Sequence, residues 1–244
     1  MTAAAERTRE TFVLVHGGFH GGWCWRRVAE PLRVAGHTVF TPTLTGLGER
    51  AHLLSPEIGL ETMISDVLGV IAAEELTDVV LVGHSFGALP VLAAADRVPE
   101  RINRLVILDG LVVEPGACGF DLFPPETVAQ REEAARLFDG GTAFPPPPAA
   151  SFGLTDPVDV LWLDRRLTPH PLRAYRDPLI LRNPLGNSLP TTYVHCTAPV
   201  YPALADGLPA AVLTAGWEVR ELATGHNLMV TDPDGTIAEL LRAP

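Results

Sequence analysis

Short apolar runs alternate with longer stretches of helical spacing through the first half of the chain. Phe12 to His16 is apolar and β-rich and ends in Gly17-Gly18, which predicts a buried strand followed by a tight turn. Trp23 to Ala35 has helical spacing, and His37 to Thr41 reads as a second strand. Leu60 to Glu75 predicts a long helix with Ile64, Val67, Leu68 and Ile71 on one face. Asp78 to Val82 is a third buried strand, the small apolar run Phe86 to Val98 suits a buried helix, and Ile102 to Leu108 is a fourth strand. The rhythm then breaks. Between Leu111 and Ser188 lie 12 of the 23 prolines, including Pro145 to Pro148, and such a stretch cannot form the interior of a sheet. It resumes with a strand over Thr191 to Cys196, a helix near Tyr201 to Ala211, a strand around Glu218 to Leu222 and a helix from Asp234 to Arg242. Strands alternating with helices imply an α/β fold, a mostly parallel sheet covered on both faces. The expectation is one domain over 1–244, with a core at 10–110 and 189–244 and an inserted cap at about 111–188.

Composition narrows the functional classes. The chain has 244 residues, 18 basic and 29 acidic, for a formal charge of −11, which argues against a nucleic-acid scaffold. Every basic residue is Arg, so lysine Schiff-base chemistry is excluded. Cys24, Cys118 and Cys196 are too few and too scattered for a disulfide framework or a zinc site. Met1 to Glu10 lacks the apolar core of a signal peptide, and no uninterrupted apolar stretch reaches membrane-spanning length. A soluble, cytoplasmic protein is expected, with no membrane or nucleic-acid partner, no cofactor and no metal. A homodimer is compatible with the chain.

The chemistry concentrates in Val79-Val-Leu-Val-Gly83-His-Ser85-Phe-Gly87, a G-x-S-x-G between a predicted strand and a predicted helix. A serine on such a strained turn projects its hydroxyl above the sheet, and the helix start behind it favours developing negative charge. Among eight histidines, His226 in Ala223-Thr-Gly-His-Asn follows the last predicted strand and opens on the same carboxyl edge, which makes it the candidate base. His16 and His20 read as packing residues of a Gly-rich loop, and His84 as a packing residue beneath the turn. Gly17-Gly18-Phe19 fits an oxyanion loop, its backbone N–H groups converging with that of Phe86.

The order HGG…W, a G-x-S-x-G turn and a late GH resembles the α/β-hydrolase superfamily. Phe12 to Trp25, Gly36-His37 and Val82 to Gly87 are similar to the small plant esterase and hydroxynitrile-lyase branch; bacterial relatives share runs like Thr43 to His52 and Leu167 to Pro171. The resemblance covers nearly the whole chain, the cap least. It implies Ser85 as nucleophile, His226 as base, and the N–H groups of Gly18 and Phe86 as oxyanion hole. The lyases of that branch carry Thr where Gly17 stands and Lys directly after the histidine, where this chain has Asn227, so the esterase reading is favoured. The family's usual acid position, within a stretch like Cys196-Thr-Ala-Pro-Val200, holds no carboxylate. Asp109, ending the strand beside the nucleophile's, is the better-placed acid; Asp206 and a dyad without an acid are the alternatives.

The resulting expectation is a serine hydrolase acting on an ester, thioester or lactone of a small hydrophobic metabolite, by analogy within secondary metabolism. Phe19, Phe120, Phe123, Leu161 and Trp162 are the expected pocket residues. A lyase, cyclase or acyl transferase on the same site, or a small-ligand receptor without catalysis, is the rival.

Overall fold

The apolar runs form a six-stranded sheet. The computed structural model describes residues 9–205 and 207–242. Its strands are β1 (Thr11–Val15), β2 (Thr38–Phe40), β3 (Val79–His84), β4 (Ile102–Leu108), β5 (Ala143–Phe144), β6 (His170–Pro171), β7 (Thr191–Cys196) and β8 (Glu218–Leu222). The main sheet runs β2-β1-β3-β4-β7-β8 with every neighbouring pair parallel. β3 is buried at all six positions and β4 at all but Asn103, as expected of central parallel strands covered on both faces.

The helices are α1 (Arg26–Val34), α2 (Leu60–Ala73), α3 (Ala88–Arg97), α4 (Pro125–Asp139), α5 (Pro157–Asp164), α6 (Leu172–Arg176), α7 (Ala210–Ala215), α8 (Leu228–Thr231) and α9 (Pro233–Leu241). Strand order reverses beside β1: the chain steps to the outer β2, then crosses back to β3. Right-handed crossovers therefore place the helices of the two halves on opposite faces. α1 packs with α8 and α9, and α2 with α3. α3 is buried from Ala88 to Asp96, and its alanines allow close approach to the sheet.

Register fixes where the loops emerge. Val15 pairs with Gly83, His84 with Leu108, Leu108 with Val194 and Cys196 with Leu222. The residues that follow these strands share the carboxyl edge of the sheet, the place where open α/β sheets bind ligands. Between β4 and β7 the chain leaves the sheet to build α4, α5, α6 and the antiparallel β5–β6 ribbon. The proline run Pro145 to Pro148 directly follows β5, outside the main sheet.

One helix differs from its sequence expectation. Instead of a helix near 201–211, Pro202–Leu204 forms a single 3-10 turn, and α7 begins only after Pro209. Pro202 and Pro209 lack N–H donors, and Gly207 takes a φ of 112°, so no continuous helix can run through the segment.

Candidate active site

Three strand ends supply the site. Ser85 follows β3 directly and adopts a φ of 51°, Asp109 follows β4 at 46°, and Phe19 in the loop after β1 lies at 68°. Non-glycine residues in the left-handed region store strain, and such residues cluster at functional sites. The turn at Ser85 needs Gly87, because a Cβ there would lie 2.5 Å from the His16 carbonyl oxygen.

The strand ends and the loop after β8 bring three side chains into a line. His226 Nε2 lies 2.9 Å from Ser85 Oγ, and His226 Nδ1 lies 2.7 Å from Asp109 Oδ2. An ionised carboxylate can only accept, so Nδ1–H donates to Asp109, and Nε2 is left to accept from the serine hydroxyl. All three are buried: Ser85 is 7% exposed, His226 1% and Asp109 0%. Burial works to raise the Asp109 pKa, but hydrogen bonds donated by His195, His226 and the Cys196 N–H outweigh it and hold the carboxyl below the usual range. Asp109 thus stays charged beneath the imidazole, able to orient it and to stabilise its protonated form.

A second histidine shares that carboxylate. His195 Nδ1 lies 3.2 Å from Asp109 Oδ1, and this contact raises the His195 pKa. Sequence reasoning missed His195, although its place near the end of β7, beside β4, was legible in the strand pattern.

The loop after β1 is braced by its own histidines. His16 donates from Nδ1 to the Gly17 carbonyl and accepts the Leu44 N–H at Nε2. His20 donates from Nδ1 to the Gly18 carbonyl at 2.7 Å and accepts from the Asn227 amide at 3.2 Å. Burial lowers their pKa values to about 4 and about 3, so both stay neutral. His84 donates from Nε2 to the His226 carbonyl at 2.8 Å and so supports the loop that carries the candidate base. Among the described residues, no group of three His, Cys, Asp or Glu side chains could hold a metal.

The space at Ser85 is small. A cavity of about 10 Å³ is lined by Gly18, Phe19, His20, His84, Ser85, Phe152, Tyr175, Tyr201 and His226. Phe152, Tyr175 and Tyr201 were not picked out from sequence, because a five-residue helix and single 3-10 turns are too short to carry a periodic signal. Phe120 and Phe123 stand behind Tyr175, with ring centroids 5.2 and 6.4 Å from it, rather than on the cavity wall. Leu161 and Trp162, expected in the pocket, lie elsewhere. Leu161 is 58% exposed, and Trp162 packs edge-on against Trp23 between Arg27 and Arg166. α5 meets α1 and the turn before it through Asp159 and Trp162, which lie against Arg27 and Trp23. Asp206 lies outside the described residues.

With a parallel sheet and a serine, histidine and aspartate meeting at its carboxyl edge, the chain has the form of an α/β-hydrolase. It belongs to the alpha/beta hydrolase family, whose model matches residues 12–240. It is 42% identical to a carbendazim hydrolyzing esterase of Nocardioides sp. (strain SG-4G), over 95% of this chain and 98% of that one. It is 32% identical to methyl jasmonate esterase 1 of Vitis vinifera, over 58% of this chain and 56% of that one. An extracellular alpha/beta-hydrolase from a Paenibacillus species, described as sharing structural and functional homology with tobacco salicylic acid binding protein 2, superposes with a TM-score of 0.82. That match has 26% identity and covers 95% of this chain and 97% of the other. The protein is an α/β-hydrolase enzyme of the esterase type. No helix among the described residues is long and apolar enough to cross a membrane.

Proposed function

We propose that the protein hydrolyses carboxylic esters of small hydrophobic acids through an acyl-enzyme on Ser85. The observation that carries this reading is the line Ser85 Oγ to His226 Nε2 to Asp109, at 2.9 and 2.7 Å. In the first half-reaction His226 takes the serine proton as Oγ bonds to the ester carbonyl carbon. Negative charge gathers on the carbonyl oxygen, where the N–H groups of Gly18 and Phe86 receive it. The tetrahedral adduct collapses, the C–O bond to the alcohol breaks, and His226 returns the proton to the departing alkoxide. Water then repeats the sequence, giving up its proton to His226, adding to the acyl carbon and releasing the acid with Ser85 restored.

The relatives that hydrolyse carbendazim and methyl jasmonate support a small alcohol leaving group and a larger, planar or alicyclic acyl part. The narrow space at Ser85 agrees with a compact reacting end. Thioesters and lactones offer the same electrophilic carbonyl and fall within the same chemistry. Asn227 leaves the position directly after His226 without the cation that the lyase branch carries there.

The test is intact-mass labelling with a fluorophosphonate on the wild type and on Ser85→Ala, His226→Ala and Asp109→Asn, followed by a panel of methyl esters including methyl jasmonate, with the methyl carbamate carbendazim beside them. One adduct, lost in Ser85→Ala and slowed in the other two, is expected. Full labelling of Ser85→Ala overturns the reading, and labelling indifferent to Asp109→Asn removes Asp109 from it.

A further inference from the structure

The carboxylate of Asp109 is gripped from both sides. His226 meets it at Oδ2, and β7 supplies two donors at Oδ1: the Cys196 N–H at 3.0 Å and His195 Nδ1 at 3.2 Å. Register explains the second grip. Leu108, the last residue of β4, pairs with Val194, and the Asp109 N–H donates to the Val194 carbonyl at 2.7 Å. The next two residues of β7 therefore stand beside the Asp109 side chain, which leaves the strand end from a backbone φ of 46°.

Asp109 is the polar partner that His195 has. Among the described residues nothing bonds its Nε2, and its ring joins none of the aromatic pairs formed by His20, His84, His170 and His226. Its side chain is 12% exposed, whereas that of Asp109 is 0% exposed. The hydrogen bond to Asp109, and after it the charges of Asp109 and of Glu221 opposite it on β8, favour a protonated ring. Neutral or protonated, His195 presents a hydrogen on Nδ1, because an ionised carboxylate can only accept.

A carboxylate held by one donor on one oxygen can still swing about that bond. The Cys196 N–H fixes Oδ1 at a point. His195 reaches the same oxygen from a side chain instead of the backbone, adds a second direction, and so fixes the carboxylate plane with Oδ2 facing His226 Nδ1. Such charge-assisted bonds are stronger than those between neutral groups. We propose that His195 is a positioning residue of the esterase, which, through Asp109, sets the orientation and tautomer of the His226 imidazole that takes the Ser85 proton. The proposal rests on the ester-hydrolase reading above and adds to it a residue that bonds neither Ser85 nor His226.

The test turns on where a replacement puts its donor. His195→Asn carries an amide N–H where Nδ1 stands, His195→Gln carries it further out where Nε2 stands, and His195→Leu carries none. Labelling rates with a fluorophosphonate at pH 7.5 should fall about tenfold in His195→Leu and His195→Gln, the loss of one charge-assisted hydrogen bond, and stay within about threefold of wild type in His195→Asn. Proton NMR supplies a signature that packing alone does not move. The low-field N–H resonance of His226, assigned by its loss in His226→Ala, should shift upfield or broaden in His195→Leu and His195→Gln and stay in place in His195→Asn. Wild-type rates in His195→Leu, equal losses in all three variants, or an unmoved resonance in His195→Leu overturns the proposal. Where His195→Leu fails to fold, the contrast between His195→Asn and His195→Gln decides. A wild-type serine that takes no label overturns the hydrolase reading itself, whereas a labelled Ser85 indifferent to position 195 overturns the positioning role alone.

Discussion

Tyr201 lies flat on His226, with ring centroids 3.8 Å apart and planes 12° from parallel. Phe152 is aligned with both, at 6.1 Å from His226 and 6.2 Å from Tyr201. The candidate base is therefore held on one side by Asp109 and on its face by an aromatic ring. The space left at Ser85 is narrow, about 10 Å³, and Tyr201, at the start of the 3-10 turn between β7 and α7, forms part of its wall.

The ring of Tyr201, more than its hydroxyl, should matter. Stacked aromatic pairs contribute about 0.5–1.5 kcal/mol beyond area burial. Tyr201→Phe should keep kcat/KM on a methyl ester within about threefold. Tyr201→Ala should accelerate labelling by a bulky fluorophosphonate while lowering kcat for small esters by roughly 3–10-fold, as His226 loses its support. Rate measurements on both variants check this. Equal behaviour of Phe and Ala at position 201 would sink the idea.

Gly17 is where the oxyanion loop touches the nucleophile. A Cβ on this residue would sit 2.7 Å from Ser85 Cβ and 2.9 Å from His84 Nδ1, so even alanine forces Ser85 or the loop aside. Overpacking of this kind costs about 1–3 kcal/mol of stability. Displacement of a reacting group by about 1 Å can cost 10²-fold in rate. Gly17→Ala should fold with a reduced melting temperature and lose on the order of 10²-fold in kcat, with Gly17→Thr worse on both counts. Calorimetry and ester kinetics together decide it, and unchanged turnover in Gly17→Ala would contradict the contact.

Sequence and structure agree on what is governed by local rules. The strand–turn–helix around Ser85 and the late His226 are legible because the turn geometry demands particular residues at particular spacings. Asp109 required reasoning by topology, since no acid stands where relatives usually carry one; the parallel order of β3, β4 and β7 brings its carboxylate 2.7 Å from His226. The cavity walls were not legible. Tyr175 comes from a five-residue helix, and Phe152 and Tyr201 come from irregular segments whose course is set by packing and proline placement. Trp162 shows the converse: an apolar residue in the cap reveals that a face is buried but not against what.

His20 ties the oxyanion loop to the residue after His226. It donates to the Gly18 carbonyl at 2.7 Å and accepts from Asn227 at 3.2 Å, so it holds the Gly18–Phe19 peptide, next to the peptide that carries the Gly18 N–H, and does so as a neutral imidazole of fixed tautomer. Loss of an oxyanion donor typically lowers kcat by about 10²–10³-fold. His20→Ala frees the peptide next to the donor and leaves the Gly18 N–H in place, so a smaller fall of about tenfold is expected, with KM changed less than threefold. A variant that loses only KM would show that His20 shapes binding instead.

Acid should unfold the protein well before its carboxylates protonate in bulk. Burial lowers the pKa of His16 to about 4 and of His20 and His170 to about 3, and drives His84 well below its ordinary 6.5. In the unfolded chain each histidine binds a proton near pH 6.5, whereas in the folded chain each stays neutral until far lower pH. Below 6.5 the unfolded state therefore holds more protons, and stability falls with falling pH by up to about 1.4 kcal/mol per unit for each group. Asp109, with its depressed folded pKa, acts in the same direction, but only as pH drops through the carboxylate range. His195 acts oppositely: its folded pKa is raised, so its contribution is full below 6.5 and is lost as pH rises through the folded value. Four histidines against one leave a steep net loss between about pH 6.5 and 4.5, set against a total stability of roughly 5–15 kcal/mol. Urea midpoints measured from pH 7.5 to 5.0 should fall continuously. In His170→Phe, which removes one buried imidazole with an unpartnered Nε2, the slope should flatten by about one proton's worth. A wild-type midpoint independent of pH over this range would mean that these histidines already bind protons in the folded state.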